Sequence, residues 1–199
     1  TELAPFLYYL LRGYIHANDD TKKMHEVRAF EASNGLVHLS EPGHIDVDAQ
    51  IAKLCELDPK RIDPRLRIAG IEKLAKSDAV VMNIDYPLGM AAYHLLSRVG
   101  QGVGELRGLY VMGKAATLNG RVGDVMLSST VYDEHSKNSF LLRNGFTARD
   151  IAPFLRHGSV FDNQKAVTVR SAFLQSKEYM DAFYRSGYTV LEMEAGPFL

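Results

Sequence analysis

Apolar positions recur at three-and-four spacing at Leu3, Phe6, Leu7, Leu10, Leu11 and Tyr14, which predicts an amphipathic helix over Leu3 to Ile15 with Pro5 in its first turn. Thr21 to Phe30 is polar and mixed, and Leu36-Val37-His38-Leu39 reads as a short strand closed by Pro42-Gly43. Asp46 to Leu57 and Pro64 to Lys76 carry helical patterns, broken at Asp58-Pro59 and Asp63-Pro64. Ala79 to Ile84 is apolar without alternation, as a strand covered on both faces is, and leads into a helix over Met90 to Val99.

Strands are expected at Leu109 to Met112 and Val125 to Tyr132, with two short helical pieces within Phe140 to Arg156, the second capped by Thr147. Gly158 to Phe161 and Ala166 to Val169 read as two strands about a turn at Asp162-Asn163. Ser176 caps a helix over Lys177 to Ser186, Gly187 ends it, and Thr189 to Met193 is the closing strand. Strands and helices in alternation predict an α/β chain with a mostly parallel or mixed sheet. The strands at Ala79–Ile84, Leu109–Met112, Val125–Val131, Val167–Val169 and Thr189–Met193 are expected in one sheet. The whole of 1–199 is read as a single domain, 1–77 mostly helical and 78–199 the sheet-bearing core.

Composition narrows the classes. With 199 residues, 46% hydrophobic and 24% charged, the chain can bury a large core. A net charge of −1 gives no general pull toward nucleic acid or an acidic membrane surface, so neither is expected as a partner. The single cysteine, Cys55, forms no internal disulfide, which points to a cytoplasmic compartment. No apolar run approaches the roughly 18 residues of a membrane span. The start without Met and the stop after Phe198-Leu199 suggest a piece of a longer protein. His38 and His44 lack partners at metal-ligand spacing, so no metal is expected.

The chemistry concentrates in the closing strand. Side chains alternate along a strand, so Val190, Glu192 and Glu194 share one face and Leu191 and Met193 the other. Two acids near a strand's C-terminal end lie where open α/β sheets bind ligands; a solvated edge strand is the plain alternative. The loop Gly113-Lys114-Ala115-Ala116 is small enough for close backbone approach and holds one cation, without the spacing of a nucleotide P-loop.

Pro87-Leu88-Gly89-Met90, Gly113-Lys114-Ala115-Ala116-Thr117-Leu118, Gly123-Asp124-Val125-Met126-Leu127, Ser171-Ala172-Phe173 and Glu192-Met193-Glu194-Ala195 occur in this order. Together they resemble the nucleoside phosphorylase and nucleosidase superfamily, over Ala79 to Leu199. The resemblance implies a three-layer α/β/α sandwich around a central mixed, twisted sheet. It implies that Glu194 holds ribose hydroxyls with Met193 along the sugar and Glu192 beside them, that Phe173 and Ser171 meet the base, and that Gly113, Lys114 and Ala115 border phosphate or the attacking water. A nucleoside-like small molecule is the implied ligand, phosphate the candidate co-substrate, and no other cofactor is expected. The family habit of forming dimers, trimers or hexamers, with the apolar first helix, implies a homo-oligomer.

The departures from that pattern are specific. Lys114 stands where the family usually has Ser or Thr, Ala116 replaces a second glycine, and Val111 occupies the place of a phosphate-binding arginine. Ser171 and Ala172 stand where many members carry Asp or Asn toward the base. The family's catalytic Asp lies beyond the Met-Glu strand, where this sequence stops, so the catalytic residue is unassigned. Two readings follow: an enzyme cleaving an N-glycosidic bond, or a ribosyl-ligand binding, regulatory or assembly protein that keeps the fold without turnover.

Overall fold

The computed structural model describes residues 3–39, 47–85, 89–171 and 176–199. The protein is mixed α/β, built as two compact units, Thr1–Tyr86 and Pro87–Leu199.

The first unit begins with α1 (Leu3–Ala17) and α2 (Thr21–Ala32), which pack on each other, with Asp20 capping α2 through Lys23 N at 3.1 Å. The apolar stripe of α1 stays largely in solvent: Leu3, Phe6, Leu7, Leu10, Leu11 and Tyr14 are all exposed, whereas Ile15 is buried. A three-stranded antiparallel sheet follows in the order β1 (Leu36–Leu39), β2 (Ala49–Lys53) and β3 (Val80–Ile84). Residues 49–53 were expected to be helical. Val47, Ala49 and Ile51 fit period two as well as a helical stripe, and pairing with β1 on one side and β3 on the other decides for strand. Pro64 to Lys76 forms only the 3-10 turns Pro64–Leu66 and Ile71–Lys76, because Gly70 between them takes φ 86°.

A buried carboxylate organises this unit. Glu31 of α2 is 4% exposed and accepts a hydrogen bond from Tyr8 Oη of α1. His38 Nε2 of β1 lies 2.8 Å from its other oxygen, off the hydrogen-bonding direction, and Arg12 Nε is 3.7 Å away. Burial, reinforced by the Glu31 bond, pushes the Tyr8 hydroxyl well above the ordinary tyrosine value.

The second unit opens with α3 (Met90–Gly102), whose Ala92 is fully buried and which packs against the 3-10 turn Gly196–Phe198. Its five-stranded sheet contains β4 (Ala116–Thr117), β5 (Val125–Asp133), β6 (Ser139–Leu141), β7 (Val160–Thr168) and β8 (Val190–Glu192), in the order β4-β8-β7-β5-β6. The three central strands β5, β7 and β8 are parallel, and the edge strands β4 and β6 are antiparallel to their neighbours. Val131, Ala166 and Val190 pack with Met126, Leu142 and Ala195, while Val167, Val169 and Leu191 pack with Tyr132, Tyr188, Met193 and the inward residues Met180 and Phe183 of α5 (Lys177–Arg185). Ser176 caps α5 through Tyr179 N, and Gly187 ends it at φ 81°.

Four expectations change here. Val80–Ile84 is a strand, but it pairs with β2 in the first unit's sheet, and Val80 and Val81 are exposed rather than covered. Leu109–Met112 forms no strand. Apolar residues favour a strand only where a ladder partner exists, and the β8 edge is taken by Ala116–Thr117. The expected turn at Asp162-Asn163 lies inside a continuous β7: Asn163 absorbs a left-handed φ of 55° near the register shifts against β5, and the Asp162 carboxylate accepts from Ala148 N at 2.8 Å. That bond sits at the start of α4 (Ala148–Ile151), where Thr147 and Asp150 form a capping box, whereas Phe140 pairs in β6 instead of starting a helix.

Candidate functional site

The C-terminal ends of β5, β7 and β8 bring three polar side chains into one row. Register pairs Asp133 with Thr168 and Thr168 with Glu192. Asp133 accepts from His135 N at 3.1 Å and Ser136 N at 3.0 Å and so closes the turn that leaves β5. Burial pushes its carboxyl up, but the hydrogen bonds from Ser136 and His135 outweigh this and hold it below the ordinary Asp value. Thr168, fully buried, donates from Oγ1 to Glu192 Oε1 and accepts there from Gly196 N at 2.8 Å.

Glu192 is the last residue of β8, and its second oxygen accepts from Glu194 N at 2.7 Å and Ala195 N at 2.6 Å. The chain therefore folds back over the Glu192 carboxylate as soon as the strand ends. The strand ends at Glu192. Past that point Met193 packs with Val167, Val169 and Leu191, and Gly196 closes the turn. A Cβ at Gly196 would lie 2.7 Å from Asp133 Cβ and 2.9 Å from Thr168 Oγ1, so only glycine lets the backbone approach this closely.

Beside the turn lies a cavity of about 270 Å³, lined by Lys114, Ala115, Ala116, Val169, Leu191, Glu192, Met193 and Glu194. The strand end thus meets the small-residue loop that leads into β4. Glu194 is half-buried, and Oε2 accepts from Met193 N at 3.2 Å. Its carboxyl is raised above the ordinary Glu value, chiefly by burial and further by the Glu192 charge, with the Met193 N–H opposing. Oε1 of Glu194 accepts no hydrogen bond from a described residue, and Lys114 pairs with no acid among the described residues.

Of the residues singled out from sequence, the fold brings together Lys114, Ala115, Glu192, Met193 and Glu194. Gly113 adjoins this lining without joining it, and a Cβ there would meet nothing within 4 Å, so packing does not demand its glycine. Ser171 is half-buried and not part of the lining. Phe173 lies outside the described residues. Sequence reasoning missed Val169, Leu191 and above all Thr168. The signal was faint: a hydroxyl residue ending an apolar run, whose partner across the ladder is set only by register.

Among the described residues no group of three His, Cys, Asp or Glu side chains could hold a metal ion, and no helix is long and apolar enough to cross a membrane. No curated protein matches this chain. The model of DUF6909, a family of unknown function, matches residues 1–199, and the chain belongs to that family.

Proposed function

We propose that the second unit binds a ribosyl ligand, a nucleoside or nucleotide, in the cavity beyond the end of β8. The observation that carries the reading is Glu194, an acid lining a cavity with one carboxylate oxygen free of described partners. A carboxylate suits vicinal hydroxyls because it accepts two hydrogen bonds in one plane. Met193 then lies along the sugar, and the Gly113–Ala115 loop borders the side from which water or phosphate approaches. Glu192 contributes through its charge and through the turn it braces, since its oxygens are already engaged. A volume of about 270 Å³ falls just under the roughly 300–1,000 Å³ of ordinary small-molecule pockets, which suits a sugar held inside with its base toward the rim. Ser171 and Phe173 are the residues proposed to meet that base.

Turnover would proceed by attack of water or phosphate oxygen at the anomeric carbon, the glycosidic electron pair leaving with the base. The Glu192 and Glu194 charges would stabilise the cation-like sugar. A binding or regulatory protein without turnover shares the same first step, so ligand capture is tested before catalysis. The finer fold belongs to this reading: parallel β5, β7 and β8 with α5 on one face form part of a three-layer α/β/α sandwich of nucleoside phosphorylase type. So does a homo-oligomer, which the exposed stripe of α1 favours. Light scattering at micromolar concentration that returned the 22.2 kDa monomer would refute it.

The test is a thermal-shift panel of adenosine, inosine, uridine, adenosine monophosphate and methylthioadenosine, followed by calorimetry. A true ligand at 100 times its Kd adds about 2.7 kcal/mol of stability. Glu194→Gln replaces an acceptor oxygen with a donor and should weaken the selected ligand by about 10- to 150-fold, the loss of a charge-assisted hydrogen bond of roughly 1.5–3 kcal/mol. Equal affinities would end the ribose assignment.

A further inference from the structure

Glu192 and Glu194 are chemically identical and two residues apart, yet among the described residues only Glu194 keeps an oxygen that accepts no hydrogen bond. What separates them is a chain of contacts that begins on the neighbouring strand. Thr168 Oγ1 sits inside the sheet, donates to Glu192 Oε1 and takes the Gly196 N–H. Glu192, held by that hydroxyl, gathers the N–H groups of Glu194 and Ala195. The backbone on both sides of Glu194's side chain is therefore tied to one buried hydroxyl, at Glu194 N through Glu192 and at Gly196 N directly.

We infer that Thr168 is a positioning residue: acting through Glu192, its hydroxyl fixes the turn that sets Glu194 in the cavity wall. The inference rests on the ribosyl reading only for what Glu194 does once positioned; the positioning itself is a property of the chain. A fully buried threonine at a strand end has a simpler role in filling space, for which valine has the same β-branched shape. The two roles differ in whether the oxygen is needed. Without it, Glu192 loses its anchor, the Gly196 N–H loses its acceptor, and Glu194 is free to swing into water away from the Glu192 charge. The charged groups around Glu194 are Glu192 at the end of β8 and Lys114 on the cavity lining, while Asp133 of β5 lies against Gly196.

A ligand-free readout follows. With carbon-13 in the glutamate carboxyls, and Glu194→Gln to assign the signal, Glu194 in the full chain should titrate above the ordinary glutamate value, and Thr168→Ser should keep that midpoint. Thr168→Val and Glu192→Gln should both lower it, the first by releasing Glu194 from the turn into water, the second by removing the neighbouring charge. An unchanged midpoint in Thr168→Val overturns the inference. Where that variant does not fold, an unchanged midpoint in Glu192→Gln does so.

Calorimetry with adenosine adds the second arm: Thr168→Val should weaken binding at least about tenfold, with Thr168→Ser within about threefold of the parent. Equal binding by the two Thr168 variants would overturn the positioning role. If the parent binds no member of the nucleoside panel while the titrations behave as expected, the ribosyl reading fails and the role of Thr168 stands.

Discussion

Each unit buries a glutamate, and the two differ in what surrounds it. Glu31 in the first unit is 4% exposed and meets Tyr8, His38 and Arg12, so both of its oxygens face protein groups. Glu194 in the second unit is half-buried, holds one backbone N–H and leaves an oxygen toward a cavity. Burial is common to both, but the surroundings are not: side chains enclose Glu31, while Glu194 borders a cavity. A buried acid enclosed by side chains joins helices and a strand; one that borders a cavity carries a desolvation that a ligand's hydroxyls can relieve.

The largest effect expected from this contrast is at Glu31. Glu31→Ala leaves the Tyr8 hydroxyl without its acceptor and removes the carboxylate beside His38 and Arg12, and loss of one partner of a buried charged cluster costs about 3–5 kcal/mol. Urea unfolding should show that loss, and a change under about 1 kcal/mol would mean that the cluster is solvated and the contrast false.

Next is Gly196→Ala. The added methyl meets Asp133 Cβ at 2.7 Å, not the far end of a flexible chain, so overpacking of about 1–3 kcal/mol is expected. Unfolding should start earlier, with any ligand affinity falling alongside. A neutral substitution would show that the turn over Glu192 relaxes easily.

The smallest effect is the sharpest. Glu194's folded value lies above its ordinary 4.5, so the ionised form is penalised in the folded state; the penalty is full at high pH and vanishes as pH falls through the raised value toward 4.5. Glu194→Gln should therefore raise the urea midpoint slightly at pH 7 to 8 and leave it unchanged near pH 4. Asp133 runs the opposite way. Its value is lowered below 3.8, so its stabilisation is present above 3.8 and lost as pH falls through the lowered value. Acid titration of the parent and Asp133→Asn should converge only in that acid range. Destabilisation by Glu194→Gln at neutral pH would place Glu194 with Glu31, among acids that only hold the fold.

Local chemistry made much of the chain legible. The spacing of Leu3 to Tyr14 specifies α1, Ser176 and Gly187 bracket α5, Thr147 starts α4, and the β-branched runs at Val125 and Val190 are strands. These are decided by contacts within a few residues, which periodicity and capping express directly. Partner choice is non-local, and there the reading failed: residues 49–53 become a strand because β1 and β3 flank them, Val80–Ile84 joins β2, and Leu109–Met112 finds no ladder. The site divides the same way. Period two predicts Glu192 and Glu194 on one face, but the ladder ends at Glu192 and Glu194 lies in the turn beyond it; the acids with the Lys114–Ala115 loop could be picked out as chemistry. Which acid would be spent and which left free depended on the register that sets Thr168 beside Glu192, a pairing 24 residues apart in sequence. A hydroxyl meeting one carboxylate there draws the following N–H groups onto Glu192, and so leaves Glu194 with an oxygen to offer.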